Sequence, residues 1–398
     1  MGSERGQATI DYVALIAVVA IVLGLAVVAA PLGAPGIVNA FTGQIRHALC
    51  VVGGGPCTDA RAKPCVVTSR RDQHHFAVSL LIVRLDHDRY VLREAMSDGT
   101  VRLTVARSGA AGLEGGVGAV ARVSVQGRKV GTADELRAAA QLTLGRGTVY
   151  VARDEHEATA FMAAIRDGRA PGPAREVLYD GGVRALAQAG IGSGWLEGMA
   201  ANTLGARRDR RTGELTVGLS TGGAGWGGLT SALVGPAAAA ESATGFALTL
   251  DRRRRPIELS LTVTGTISGG VLPLALQRGL GRTYAAEATT KMTGRRWELG
   301  ARLDLRDPQV RANWARFRAH PTSAGAIRAL AETVRDRAYL DARAYGIDTS
   351  ADGVAAGIAG GVRIGGEYDH VVDRARLLGA SSRPPAGLWE RRVDCVAA

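Results

Sequence analysis

One run of uncharged residues near the start of the chain constrains this protein more than any other feature. From Tyr12 to Ala30 there is no charged side chain, no proline and one glycine. A helix of that length rises about 28 Å, which is enough to cross the hydrocarbon core of a bilayer. Pro31 and Gly33 then stop the helix. The sequence therefore predicts a transmembrane helix within residues 7–35.

A cleaved secretory signal is the alternative explanation of this run. The run is longer than the apolar region of a signal, and Glu4 and Arg5 cancel each other in front of it. Pro31 also sits badly after the small residues that end the run. We therefore favour an uncleaved helix that leaves the rest of the chain on one side of the membrane.

Four cysteines indicate an oxidising compartment for the rest of the chain. Cys50, Cys57 and Cys65 lie close together, and Cys395 lies almost at the C-terminus. Two disulfides fit this spacing, and among the three possible pairings we favour Cys50 with Cys57 and Cys65 with Cys395. A zinc site is disfavoured because no CxxC pair and no histidine at ligand spacing is present. We expect a single-pass protein of the plasma membrane with an extracellular body and no metal or other cofactor.

The net charge of +12 is carried almost entirely by arginine, because lysine occurs only at Lys63, Lys129 and Lys291. Its densest clusters, residues 207–211 and 252–255, lie at predicted hairpin turns. Solvated turns are the simpler explanation, and contact with an anionic surface such as lipid headgroups is the alternative. Nucleic acid is not an expected partner.

The body is predicted to be rich in antiparallel strands. Residues 76–85, 89–95 and 100–106 alternate or are β-branched and predict a three-strand meander, with a turn at Asp86–Asp88. Helices are predicted over residues 154–166, 307–318 and 326–337, with a further short helix opening at Thr132. Glycines within the strands permit strong curvature, up to a partial barrel.

The predicted fold class is α+β: an N-terminal transmembrane helix followed by a mainly antiparallel, strongly curved, Gly-rich β-sheet with a few packed helices. The predicted divisions are a leader (residues 1–6), the transmembrane helix (7–35), a cysteine-containing stem (36–64) and an extracellular body (65–398).

The segment that leads into the apolar run, Arg5-Gly6-Gln7-Ala8-Thr9-Ile10-Asp11-Tyr12, resembles Flp-type pilins and TadE-like pseudopilins. The resemblance implies cleavage between Gly6 and Gln7 by a prepilin-type peptidase. It also implies an assembly role for Asp11, which would pair with the new N-terminal amine of a neighbouring subunit. Without that role, Asp11 would cap the helix in the headgroup layer. The body is similar in style to uncharacterised surface proteins of actinobacteria.

Two motifs resemble a catalytic or a metal site. Residues 218–222 match G-x-S-x-G around Ser220, but glycines rather than a helix follow the serine, so a nucleophile elbow is not expected. Asp154-Glu155-His156-Glu157 could suggest a metal cluster. Helix capping explains it better, because adjacent residues on a helix point apart. No enzymatic activity is expected.

The leading functional hypothesis is therefore a pilin-like anchored protein with a binding or assembly role at the cell surface. Its expected partners are the lipid bilayer, a prepilin-type peptidase and other pilin-like subunits. Two alternatives are an anchored protein that holds a lipid or apolar ligand in a cavity of the curved sheet, and an extracellular serine hydrolase.

Overall fold

The computed structural model describes residues 63–125, 128–191, 194–229, 234–273, 292–360 and 363–396. The predicted leader, apolar run and most of the stem lie outside these residues, and so do Gly6, Gln7, Asp11, Cys50 and Cys57. Within the described part of the chain, no helix combines the length and apolarity needed to cross a bilayer.

Twelve long strands follow one another in chain order, and each pairs with the next in antiparallel fashion. They are β1 (Val66–Leu81), β2 (Val83–Met96), β3 (Val101–Val125), β4 (Arg128–Ala152), β5 (Glu176–Ile191), β6 (Gly194–Asp209), β7 (Leu215–Leu229), β8 (Val234–Leu250), β9 (Pro256–Pro273), β10 (Met292–Asp304), β11 (Tyr339–Gly360) and β12 (Arg363–Arg383). The helices are α1 (Glu155–Arg166), α2 (Pro308–Ala319), α3 (Ala324–Arg337) and α4 (Val393–Val396), and a two-residue strand, β13 (Glu390–Arg391), pairs with the end of β12.

The sheet closes on itself because β1 also pairs with β12. This register runs without a break from Thr68 opposite Arg376 to Leu81 opposite Arg363. Residues 117–124 of β3 additionally pair with residues 353–360 of β11, beyond the turn that joins β1 to β2. The architecture is thus a closed barrel of twelve antiparallel strands. The predicted α+β class with an open curved sheet is wrong, because the first and last long strands complete a cylinder.

The predicted meander exists, but its first turn is misplaced. β1 ends at Leu81, which adopts a left-handed φ of 59°, and β2 runs straight through Asp86 and Asp88. These two aspartates belong to an alternation of buried and exposed residues along β2, so their polarity marks one face of the strand rather than a turn. The short helix predicted at Thr132 is also wrong, because that residue lies within β4.

Three helices were correctly predicted, and each lies at the barrel end that carries the longer connections, here called the helical end. Asp154 caps α1 by accepting from the Glu157 backbone N–H at 2.8 Å, so the capping interpretation of this acidic segment is confirmed. Helix α1 packs on Leu103 and Val101 of β3. Helices α2 and α3 cover outward residues of β9–β11, including Leu261 and Leu303.

The chain segments that flank the barrel are joined at the helical end. A disulfide links Cys65, just before β1, to Cys395 in α4, with the two Cα atoms 5.5 Å apart. Arg392 is buried beside it and makes two bonds of 2.7 and 2.8 Å to the Asp394 carboxylate. Its guanidinium also donates to the Lys63 carbonyl at 3.1 Å. The C-terminal segment is therefore fixed against the start of the first strand.

Candidate functional site

The two faces of the barrel wall differ in chemistry, and the charged face points inward. Along β2, Arg84, Asp86 and Asp88 are buried, whereas Val83 and Leu85, which alternate with them, are exposed. The inward-facing residues of the other strands follow from the strand register, because directly paired residues lie on the same side of the sheet. Arg84 lies opposite Ser79 of β1 and Gly112 of β3, and Gly112 lies opposite Gln141 of β4.

Following this register around the described strands gives a lumen in which carboxylates outnumber arginines. The luminal acids are Asp86, Asp88, Glu94, Glu114, Glu176, Asp180, Asp209, Glu241, Glu258, Glu298, Asp304, Asp341, Glu367, Asp369 and Asp373. The luminal arginines are Arg71, Arg84, Arg102, Arg184, Arg207, Arg296, Arg302 and Arg343.

The most enclosed part of the lumen surrounds Arg84. Its Nε lies 2.7 Å from Asp86 Oδ1, and its terminal nitrogens lie 3.8 Å from Glu114 Oε1 and 3.5 Å from Glu367 Oε2. Gln141 Nε2 donates to Asp86 Oδ2 at 2.7 Å, and the Ser79 hydroxyl donates to Glu114. One guanidinium thus meets three carboxylates from three strands. Such groups are stable away from bulk water only when their charges and hydrogen bonds are satisfied together.

A second set of luminal contacts holds His75 and Asp88 together. His75 Nδ1 lies 2.8 Å from Asp88 Oδ1, and Gln73 donates to the same oxygen at 3.1 Å. Arg184 of β5 lies 4.0 Å from the other oxygen of Asp88. Residues of β1, β2 and β5 therefore share one polar network.

The remaining lumen is more open. A cavity of about 440 Å³ lies against small and polar side chains of β6–β9, such as Thr203, Ser220 and Thr262, and against Asp180 of β5. The Glu241 carboxylate of β8 interacts electrostatically with Arg71 and Asp373. Those two residues lie on β1 and β12, so the charges of well-separated strands converge on the same interior space.

The outer face carries large apolar side chains that no other part of the described protein covers. Those on the outward face of the described strands with at least about two fifths of their surface exposed are Phe76, Val78, Leu80, Val83, Leu85, Leu113, Val117, Leu136, Leu142, Leu144, Val183, Leu204, Ile267, Trp297 and Ile364. They form a belt around the barrel, called here the apolar belt. Soluble proteins rarely expose so large a contiguous apolar surface.

A row of basic side chains borders the apolar belt on the side of the helical end. Register places Arg89 directly opposite Arg107, and Arg107 directly opposite Arg146. All three are exposed, and the Arg146 guanidinium lies 5.9 Å from the centre of the Tyr179 ring. Three like charges abreast on a sheet repel one another unless anions lie between them.

The serine motif does not form a strand-to-helix elbow. Ser220 lies inside β7, which continues to Leu229, so the strand-to-helix elbow is missing. Its neighbours across the sheet are Thr203 and Gly245. The serine hydroxyl is thus part of the polar lumen wall rather than a nucleophile at an elbow.

The luminal charges were missed because Asp86–Asp88 was interpreted as a turn. The sequence Val83-Arg84-Leu85-Asp86-His87-Asp88 places a charged residue at every second position and is strictly periodic. That period of two is the signal of a strand with one polar and one apolar face, as in barrels whose outward face meets lipid.

Comparison with known proteins gives no family. No family model matches the chain, and no curated protein is similar to it in sequence. Similar solved structures include the β-domain of the Bordetella autotransporter BrkA (9% identity, 78% of this chain and 98% of that chain, TM-score 0.25). The transport unit of the Escherichia coli autotransporter AIDA-I also matches, with 8% identity over 85% of this chain and 96% of that chain and a TM-score of 0.24. A TodX monoaromatic hydrocarbon channel matches with 7% identity over 79% of this chain and 91% of that chain and a TM-score of 0.15. These TM-scores are too low to establish a shared fold.

The pilin-like interpretation is wrong, together with the single-pass plasma-membrane location and the surface-exposed body that it implied. Residues predicted to form a water-exposed body instead form a closed barrel with an apolar outer face and a charged interior.

Proposed function

We propose that this chain spans a lipid bilayer as a β-barrel and that its acid-rich lumen lets small cations pass. The observation that carries the proposal is the inverted alternation of the wall, in which Arg84 and Asp86 are buried while Leu85 between them is exposed. A barrel in water would show the opposite arrangement, because burying charges and exposing leucines both raise its free energy.

The dimensions of the strands support insertion. A transmembrane β-strand needs roughly 9–11 residues. The shortest of the twelve barrel strands, β10, has 13 residues, and β3 and β4 have 25 each. Every strand is therefore long enough to cross the hydrocarbon layer, and closure leaves no unpaired strand edge at the β1–β12 seam.

The arginine row fits one boundary of the bilayer. Arg89, Arg107 and Arg146 lie beside the apolar belt, where lipid phosphates would separate their like charges. Tyr179, exposed at 53%, lies in the same row, as aromatic side chains do at membrane interfaces.

The preference for cations follows from the sign of the luminal charge. Although the whole chain carries a formal charge of +12, carboxylates exceed arginines among the inward-facing side chains that the structure describes. Fixed charges of one sign in a confined passage concentrate ions of the opposite sign. Asp180 and Glu241 are exposed luminal acids, and Asp180 lines the open cavity. No catalytic role is part of this proposal.

The proposal is tested with the full-length purified chain and phospholipid vesicles. We expect the chain to float with the vesicles through a density gradient after washing with alkaline carbonate, and its strands to resist trypsin. A chain that remains in the aqueous fraction would refute membrane insertion.

Ion passage is tested separately in planar bilayers under a gradient of potassium chloride. We expect a conductance whose reversal potential has the sign of cation preference. The double substitution Asp180→Asn with Glu241→Gln should lower the permeability ratio of cations to anions by about twofold or more. Asp167→Asn, beyond the end of α1, is the matched control and should leave the ratio unchanged. A chain that inserts but conducts no ions would contradict the proposal that ions pass through the lumen. A preference for chloride would contradict only the proposed selectivity for cations.

A further inference from the structure

We propose that Asp72, His74 and His370 bind a divalent transition-metal ion, with Zn²⁺ as the representative ion, on the outer face of the barrel. One potential ligand atom from each residue lies within 4.8 Å of the other two. The site is independent of ion passage, because its residues lie on the opposite side of the wall from the lumen.

The barrel closure itself brings the three residues together. His74 of β1 lies directly opposite His370 of β12, and Asp72 lies two residues before His74 on the same face. The two imidazole rings stack, with centroids 4.5 Å apart and planes 13° apart. Asp72 and His370 are 298 positions apart in the chain, so the set exists only where the first and last barrel strands meet.

The nitrogen and oxygen donor atoms suit a metal ion such as Zn²⁺, which is intermediate between hard and soft ions. Asp72 Oδ1 lies 2.9 Å from His370 Nε2 and 3.6 Å from His74 Nε2. Zinc binds imidazole nitrogen and carboxylate oxygen at about 2.0–2.2 Å, so ligand atoms on one ion lie within about 4 Å of each other. The three side chains are 31–51% exposed, so they can rotate enough to bring their ligand atoms within bonding distance of one ion. Two histidines and one carboxylate leave a fourth position for water.

Tyr368 orients one of the ligands. Its hydroxyl oxygen lies 2.9 Å from His74 Nδ1. In the tautomer that donates from Nδ1 to this hydroxyl, the lone pair of Nε2 faces Asp72. Hydrogen bonds of this kind to the second ring nitrogen fix metal-binding histidines in place.

Two arginines limit the expected affinity. Arg70 lies 3.9 Å from the second oxygen of Asp72, and Arg89 is paired with His74 in the register of β1 and β2. Both add positive charge near the ion. We therefore expect binding of moderate strength, selective for Zn²⁺ over Mg²⁺, because magnesium disfavours imidazole ligands.

The test is calorimetric titration of the untagged full-length chain in detergent with zinc chloride, and with magnesium chloride for comparison. We expect one zinc per chain and no heat from magnesium. His74→Gln with His370→Gln should weaken zinc binding at least about tenfold, and Tyr368→Phe should weaken it by a similar or smaller factor. His87→Gln is the matched control, since His87 is an exposed histidine on the neighbouring strand β2.

Thermal unfolding supplies a second measurement, which also shows whether each variant is folded. Zinc should raise the unfolding temperature of the wild-type chain and of His87→Gln, because the ion joins β1 to β12 only in the folded state. It should leave the double variant unchanged. The assignment would be overturned if the double variant bound zinc as tightly as the wild-type chain does. It would also be overturned if the wild-type chain bound magnesium as tightly as zinc.

Discussion

Arg84 is 4% exposed, whereas its neighbour Leu85 is 55% exposed. Successive residues of a strand point to opposite faces, so this pair fixes the polarity of the whole wall. The arginine meets Asp86, Glu114 and Glu367 inside the barrel, and the leucine belongs to the apolar belt outside. A bilayer is the environment in which both placements lower the free energy.

Replacing Leu142 by arginine should destabilise the barrel in lipid. Leu142 is 68% exposed on the outer face, and a cation on the lipid face of a barrel costs about 2–4 kcal/mol near the bilayer centre. Denaturant unfolding of vesicle-inserted protein measures the loss. Leu388→Arg is the control, because Leu388 is 71% exposed in the connection after β12. A change within about 0.5 kcal/mol for Leu142→Arg, as at an ordinary water-exposed site, would contradict a lipid-facing wall.

Removing the arginine row should weaken attachment to anionic membranes. Arg89→Gln, Arg107→Gln and Arg146→Gln together remove three charges, each worth about 1 kcal/mol at an anionic surface. Co-sedimentation with vesicles of anionic and of zwitterionic lipid measures the difference. We expect the loss only with the anionic vesicles and only at low salt. Arg254→Gln, in the turn after β8, is the control.

Arg84→Ala should destabilise the folded barrel by about 3–5 kcal/mol, because Asp86, Glu114 and Glu367 would keep their charges in an enclosed space without this cation. Adding Asp86→Ala should recover part of the loss. A double-mutant cycle based on denaturant unfolding measures the coupling of the two residues. Additive effects of the two substitutions would show that the pair is not coupled.

Asp307 should make stability fall in acid. Backbone N–H groups of Gln309 and Val310, together with Arg337, hold the pKa of the Asp307 carboxyl below its usual value of 3.8. The folded state therefore gains stability above that usual value and loses it as the pH falls through the lower pKa of the folded state. Asp307→Ala should cost roughly 0.5–2 kcal/mol at neutral pH and less in acid.

Unfolding curves at pH 7 and at the lowest pH that keeps the barrel folded test this dependence. Asp307→Asn is informative because asparagine also caps helices but does not titrate. The Asp307→Asn variant should keep most of the wild-type free energy of unfolding at neutral pH. Its free energy of unfolding should fall less in acid than that of the wild type, because the Asp307 carboxylate is no longer there to be protonated. An unchanged acid dependence in Asp307→Asn would show that other groups cause it.

Local structure could be predicted wherever the signal lies within a few residues. Asp154 and the Asp307-Pro308 pair mark the starts of α1 and α2, since capping is decided by neighbouring backbone groups. Arg210, Arg211 and residues 252–255 lie at turns, as their charge and position predicted, whereas Arg207 and Arg208 of the same cluster belong to the end of β6. The same local reasoning failed at Asp86–Asp88, where charged residues were assumed to need water outside the protein.

The sequence by itself determined that this part of the chain is rich in antiparallel strands, where the three longer helices lie, and, in segments such as residues 83–88, an alternation of polar and apolar residues. It did not determine which face points inward, because a period of two is the same for a soluble sheet and for its inverse. That choice depends on closure, in which β1 pairs with β12 and places His74 beside His370. Such pairing depends on residues far apart in the chain, and only the tertiary structure brings them together.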